Sequence, residues 1–461
     1  MSRKGGLALR AVGAAYFLGQ LLLIAPSRAW SWDEAIYLSQ VTRGATALTF
    51  APSRARGITL LVLPVAHFTT SAVAVRVWLA LASSVMLVFA FGIWRPLVGW
   101  AATLGAAMFA GTWLALLYGS EVMPNLWSAL LATAASGYAA RWAWGRRSRS
   151  DLFVASVLLA VMAMFRPPDA AVLAIVLAAV LAVREPATRR SVFWLPAGAA
   201  IGCAPWLVEM QIRFGIATGL SDATSVSHVS AGGLGTRLFQ HLGLTDGPTI
   251  GPVPGASLPI GGAVWWALLV AMTVVGVAGA SKGAERGPVS LAAIAGAAMA
   301  AEYLVLISGL APRFLLPAYA LLSLSAAVGI RTLLAAERRS TGLAAVLVAA
   351  SLVVWQVGVA VRVGSAVEVA RASDRDAGLA VGEAAGDRPC ALLASDSYPQ
   401  IGFAAGCVAR PTDARGSGSD WLAAYEARGY AVFVVTKDVP PVPPSSSEIP
   451  APAGWHIFGF G

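Results

Sequence analysis

The stretch Trp30-Ser-Trp-Asp-Glu-Ala-Ile-Tyr37 sets two neighbouring carboxylates, Asp33 and Glu34, among two tryptophans and a tyrosine. A carboxylate held where water is scarce gains basicity, and one within reach of a hydroxyl can take its proton as a general base. Tyr37 stands close enough in sequence to help bind whatever the base acts on. The same residues also suit a capped interfacial helix with solvated acids, Asp33 serving as N-cap for a helix running to about Arg43. A second acid, Glu121, lies in Tyr118-Gly-Ser-Glu121-Val-Met-Pro124-Asn125, where Asn125 offers hydrogen bonds but no base. Two arginines border prolines: Arg166 before Pro167-Pro168, and Arg313 between Pro312 and Phe314-Leu-Leu-Pro317. Guanidinium groups suit phosphate or carboxylate partners, and either arginine alone also suits snorkelling to lipid headgroups. His228 and His241 match no strong metal-ligand spacing, and His228 is read as solvated or in contact with an acceptor. Glu302, beside Tyr303 inside an apolar run, is an intramembrane acid of the kind that marks a site or a satisfied polar contact.

The elements that must position these groups are membrane helices. The chain is 57% hydrophobic and only 12% charged, against about 25% charged in soluble proteins, and its mean hydropathy is +0.71. The net charge of +10 is carried largely by arginine clusters between apolar runs. That is the signature of membrane topology rather than of a nucleic-acid footprint, so no nucleic-acid partner is expected. Apolar runs predict spans near 7–25, 73–94, 98–118, 125–143, 151–165, 168–183, 191–209, 259–279, 288–308, 314–332 and 341–361. Gly57–Thr70 is short and carries Pro64, and counting it as a span would turn every basic loop outward; it is read as interfacial or re-entrant. The resulting fold class is an all-α polytopic bundle of about eleven transmembrane helices in the plasma membrane, with a cytoplasmic N-terminus and an extracytoplasmic C-terminus.

The division expected is a membrane domain over 1–361 and a small extracytoplasmic α/β domain over 362–461. In the latter, Ala391–Ala394, Tyr430–Thr436 and Trp455–Phe460 read as strands, Ser419-Asp420 starts a short helix, and Pro440–Pro452 reads as a loop. Cys390 and Cys407 both fall in this region, where the compartment permits either a disulfide or two buried thiols. Cys203 sits in an apolar run as packing.

An acidic pair in the first outer loop, a second acid after the third span, an Arg-Pro turn and a later Pro-Arg-Phe-Leu-Leu-Pro together resemble the GT-C glycosyltransferases. The likeness is to the protein O-mannosyltransferase and aminoarabinose transferase branch (family 39-like), and it covers nearly the whole chain in layout. It implies an inverting enzyme, a hexosyl- or pentosyltransferase such as a mannosyltransferase, in cell-envelope synthesis. Its partners would be a polyprenyl-phosphate sugar donor, an extracytoplasmic glycan, lipid or protein acceptor, and the bilayer. By the same resemblance, Asp33 matches the base, Glu34 the neighbour that shapes the site, and Glu121 the second acid. Arg166 and Arg313 fall near turns that contact lipid phosphate or sugar. No cofactor is required by this reading; some GT-C relatives use a divalent ion, and that point stays open here. The second motif departs from the pattern in reading Glu-Val-Met-Pro-Asn, without the acid-proline pair. Two other classes remain open on residues alone: a transporter or flippase for a lipid-linked substrate, and a non-catalytic envelope scaffold. The absence of paired repeats and midplane breaks argues against the former.

Overall fold

The computed structural model describes residues 3–145, 148–184, 189–225, 233–245, 260–280, 283–307, 311–335, 339–395, 397–412, 418–437 and 446–460. In chain order the helices are α1 (Arg3–Leu22), α2 (Trp32–Ser39), α3 (Gly57–Ala66), α4 (Ala72–Gly92), α5 (Arg95–Val98), α6 (Ala101–Ala110) and α7 (Trp113–Tyr118). They continue with α8 (Pro124–Trp144), α9 (Arg149–Phe165), α10 (Pro167–Arg184), α11 (Arg189–Val192), α12 (Trp194–Phe214), α13 (Ile216–Ser225) and α14 (Leu234–Thr245). Then come α15 (Ile260–Gly279), α16 (Arg286–Ala301), a π turn (Glu302–Leu306), a 3-10 turn (Pro312–Leu315), α17 (Leu316–Leu334) and α18 (Arg339–Ala385). The C-terminal part adds β1 (Cys390–Ala394), α19 (Tyr398–Ala405), β2 (Val408–Pro411), α20 (Gly418–Glu426), β3 (Ala431–Thr436), β4 (Ser446–Ile449) and β5 (His456–Phe460).

The chain divides into two compact units. The first comprises Met1–Ile24, Ala51–Ile58 and Leu79–Gly364, and the second Ala25–Phe50, Thr59–Trp78 and Ser365–Gly461. The second unit thus takes in the first loop as well as the tail.

The first unit is a helical membrane bundle. Among the described residues, seven helices are long and apolar enough to cross a bilayer: Ala72–Gly92, Pro167–Arg184, Arg190–Phe214, Ile260–Gly279, Arg286–Leu306, Pro312–Leu334 and Ser340–Ala385. A multi-pass membrane protein follows directly. The remaining expected spans are helical but less regular. The run 98–118 is cut into α5, α6 and α7 at Gly99-Trp100 and at Gly111-Thr112, where the Thr112 hydroxyl accepts from Ala115 N and starts a new helix. α9 has 17 residues, and α3 is a ten-residue apolar helix holding Pro64, too short to span. Close packing inside the bundle depends on small residues: a Cβ on Gly276 would sit 2.0 Å from the Ser325 carbonyl, and one on Gly329 2.0 Å from that of Met272. Helices α15 and α17 therefore touch backbone to backbone, a contact that membrane interfaces build from small residues.

The second unit carries a five-stranded sheet in the order β2-β1-β3-β5-β4. β1 is parallel to β2 and β3, and β5 is antiparallel to β3 and β4. Ala391, Leu393, Leu422 and Val432 form its core, with Trp421 and Tyr425 of α20 packed against it. Three strands match the expectation, and β2 and β4 correct it, β4 lying wholly within the expected proline-rich loop. The Cys390–Cys407 pair is disulfide-bonded, which decides between the two alternatives left open for it. A further correction concerns α18, which does not end near Val361 but runs to Ala385 over 47 residues. No proline interrupts that stretch, and its Ala, Glu and Arg content favours helix.

Candidate functional site

In the second unit, α2 presents the acidic pair. The expected N-cap, Asp33, is corrected to Ser31, because the cap that forms is a reciprocal one. Glu34 N donates to Ser31 Oγ at 3.4 Å and Ser31 N donates to Glu34 Oε2 at 2.9 Å. A Ser followed three residues later by Glu is the sequence pattern of this capping box. Asp33 then falls in the first turn, half-buried, while Glu34 is fully buried.

Two arginines surround the buried acid. Arg76 donates through Nη1 to Glu34 Oε1 at 2.9 Å and through Nη2 to Oε2 at 3.1 Å. Arg371 Nη1 donates to Oε2 at 3.2 Å. Arg76 Nη2 also reaches the carbonyls of Arg28 and Ala29, and its guanidinium lies 4.7 Å from the Trp30 ring centroid. Burial alone would raise the Glu34 pKa, but Arg76 and then Arg371 outweigh it and hold the carboxyl down at about 2. An acid so paired is a poor base at neutral pH. Glu34 thus anchors the loop, and Asp33 is the more accessible of the pair. Around them, Trp32 meets Tyr398 edge to face at 4.9 Å, and Tyr37 is buried edge to face against Phe50 at 5.9 Å.

In the first unit, Glu121 and Asn125 are both buried, in the link from α7 to α8 and at the start of α8. Neither the oxygen nor the nitrogen of the Asn125 amide has a hydrogen-bond partner among the described residues. Arg166 sits between α9 and α10 in an extended conformation, as the residue before a proline prefers. Its Nε donates to Asp169 Oδ1 at 2.9 Å and its Nη2 to the Tyr303 hydroxyl at 2.5 Å. Tyr303 OH in turn donates to Asp169 Oδ1, and Ser128 Oγ donates to Oδ2 at 2.7 Å. Phe314 stacks on Tyr303 at 4.9 Å, and the guanidinium groups of Arg166 and Arg313 lie 4.9 and 5.3 Å from its centroid. The arginine turn and the Pro-Arg-Phe turn thus meet on one aromatic ring. Glu302 is buried beside Tyr303.

Sequence reasoning missed Asp169, Arg76 and Arg371. The first had a local signal, Arg166-Pro-Pro-Asp169, an i,i+3 ion pair across a helix start. Arg76 had one too, as a charge inside an apolar span. His228 lies outside the described residues. Among those described, no three His, Cys, Asp or Glu side chains are grouped to hold a metal ion.

The fold has counterparts among solved structures. The chain superposes on ArnT from Cupriavidus metallidurans bound to undecaprenyl phosphate with a TM-score of 0.70, at 12% identity, over 99% of this chain and 98% of that one. The fold is the GT-C fold. The apo form of the same protein gives a TM-score of 0.68 at 11% identity, over 97% of each chain. The oligosaccharyltransferase AglB from Archaeoglobus fulgidus, in complex with an inhibitory peptide and a dolichol-phosphate, gives 0.56 at 12% identity, over 92% of this chain and 69% of that one. Neither a family model nor a curated protein matches the chain by sequence. At such low identity the likeness concerns architecture alone.

Proposed function

We propose that the protein is an inverting glycosyltransferase, taking a sugar from a polyprenyl-phosphate donor to an extracytoplasmic acceptor. The observation that carries this reading is the unequal acidic pair: Glu34 is locked by two arginines and Asp33 stays half-buried beside it, on a chain with the fold of a transferase solved with undecaprenyl phosphate. Asp33 takes the proton of the acceptor hydroxyl, whose oxygen attacks the anomeric carbon. The bond from that carbon to the phosphate oxygen breaks with its electron pair on the departing polyprenyl phosphate, and the centre inverts. Glu34 positions the loop that carries the base. Glu121 and Asn125 orient the acceptor, Tyr37 braces α2 against Phe50, and Arg313 stabilises the phosphate, with Arg166 in reserve.

The topology proposed with it has eleven crossings, the N-terminus in the cytoplasm and the C-terminus outside. The Cys390–Cys407 bond supports the second half of that statement, since disulfides persist in oxidising compartments. The test is transfer from a panel of radiolabelled polyprenyl-phosphate sugars by purified protein in lipid. Wild type should transfer or hydrolyse a donor, and Asp33→Asn should lose on the order of 10²–10⁴ in rate. Normal turnover by a folded Asp33→Asn protein refutes the base; donor binding without turnover by wild type favours a transporter or scaffold.

A further inference from the structure

The far ends of α10 and α16 carry a second site. α10 begins beside Arg166 and ends at Arg184, while α16 begins at Arg286 and ends beside Tyr303. The Arg166–Tyr303 bond joins one pair of ends, and Arg184 and Arg286 line one cavity at the other. Sixteen residues of helix separate the two levels, about 24 Å at 1.5 Å per residue, close to the thickness of a hydrocarbon core. This cavity is therefore at the opposite membrane face from the arginine-proline turns. It has a volume of about 490 Å³ and is lined by Trp144, Arg184, Arg286, Gly287, Ser290 and Ile294, among others.

Its parts have separate physical reasons. The Arg184 guanidinium lies 4.6 Å from the Trp144 ring centroid, and both arginines are exposed. Gly287 lets the indole in: a Cβ there would sit 1.8 Å from Trp144 Nε1. The acid adjoining Arg286, Glu285, is paired with Arg331. Ile294 lines this cavity and also an apolar groove between α15, α16 and α17. A basic, tryptophan-walled mouth thus leads into an apolar channel.

We infer that this cavity binds an anionic phospholipid, its phosphate between Arg184 and Arg286 and an acyl chain passing Ile294 into the groove. Basic pockets between membrane helices select acidic headgroups in this way. A free phosphate would use the arginines and leave the apolar continuation without a role. The inference is independent of the transfer reaction and holds for an enzyme, a transporter or a scaffold.

Native mass spectrometry of the full chain in detergent, titrated with phosphatidylglycerol or phosphatidylcholine of matched acyl chains, tests it. Wild type should retain one phosphatidylglycerol in preference to phosphatidylcholine. Arg184→Gln with Arg286→Gln should bind it about twenty-five-fold more weakly, from about a fivefold loss per arginine, with an unchanged melting curve in lipid-free detergent. Ile294→Trp keeps both charges at an exposed position and blocks the junction, and it too should lose retention; it decides the matter if the double variant does not fold. Equal retention by the variants, equal binding of phosphatidylcholine, or displacement of the lipid by millimolar inorganic phosphate overturns the inference.

Discussion

Replacing Arg76 or Arg371 by methionine separates the two ion pairs around Glu34 and tests whether this triad holds the acidic loop. Arg76 and Glu34 are completely buried and share two contacts, at 2.9 and 3.1 Å, whereas Arg371 adds one at 3.2 Å and is 7% exposed. Removing one partner of a buried pair leaves an uncompensated charge and costs about 3–5 kcal/mol, so that is expected for Arg76→Met. Arg371→Met removes a charge-assisted bond to Glu34 and leaves that acid paired with Arg76, at about 1.5–3 kcal/mol. Acid provides an independent reading. Glu34 titrates near 2 in the folded protein against an ordinary 4.5. A carboxyl depressed on folding contributes stability that is fully present above the unfolded value and is lost as pH falls towards the folded one. At about 1.4 kcal/mol per pH unit the loss between pH 4.5 and 2 is roughly 3 kcal/mol, and Glu34→Gln should abolish this part of the acid slope. Thermal unfolding in detergent at pH 7, and again from pH 5 to pH 3, measures both. If Arg371→Met proved as costly as Arg76→Met, or Glu34→Gln kept the full acid slope, the triad would not be the anchor described.

Three further outcomes are expected. Cys390→Ser opens a bond between residues 17 apart in sequence; loop entropy puts the loss at about 3 kcal/mol, and the non-reducing mobility shift after alkylation should vanish. Gly276→Ala and Gly329→Ala each force a methyl against a carbonyl of the facing helix, and each should lower the unfolding temperature at a cost of about 1–3 kcal/mol; a neutral result would mean that α15 and α17 are not in direct contact. Burial pushes His241 down to about 4, so the unfolded chain binds the extra proton between about pH 6.5 and 4. Stability should fall as pH drops through that window, and His241→Phe should flatten the fall in a pH series of melting curves.

What the sequence made legible was periodic and local. Long apolar runs marked the helices, and the runs Ala391–Ala394 and Tyr430–Thr436 marked the inner strands β1 and β3. Both missed strands, β2 and β4, are the two edges of the sheet. Their residues, Val-Ala-Arg-Pro and Ser-Ser-Glu-Ile, are what edges carry to discourage further pairing: charge, polarity and a proline. The acidic pair was visible at once, but the partition of roles inside it was not. Arg76 and Arg371 stand 42 and 337 positions from Glu34, and no local pattern links residues at such distances. Ser31 as cap was within reach, since Ser31-Trp-Asp-Glu34 is a capping box in full view.

The same long-range pairing ranks the two arginines proposed for the phosphate. Arg166 already donates to Asp169, whose carboxylate oxygen is 2.9 Å from its Nε, and to Tyr303. A phosphate brought to that guanidinium would add negative charge beside a buried carboxylate, and in a low-dielectric site like charges at short range cost far more than at a surface. The Asp169 that holds Arg166 in place therefore discourages a second anion there. Arg313 shares the aromatic ring of Phe314 with Arg166 at 5.3 Å, so it presents a cation at the same level of the bundle from a different turn. The Arg166–Asp169 pairing therefore leads us to propose Arg313 rather than Arg166 for the phosphate.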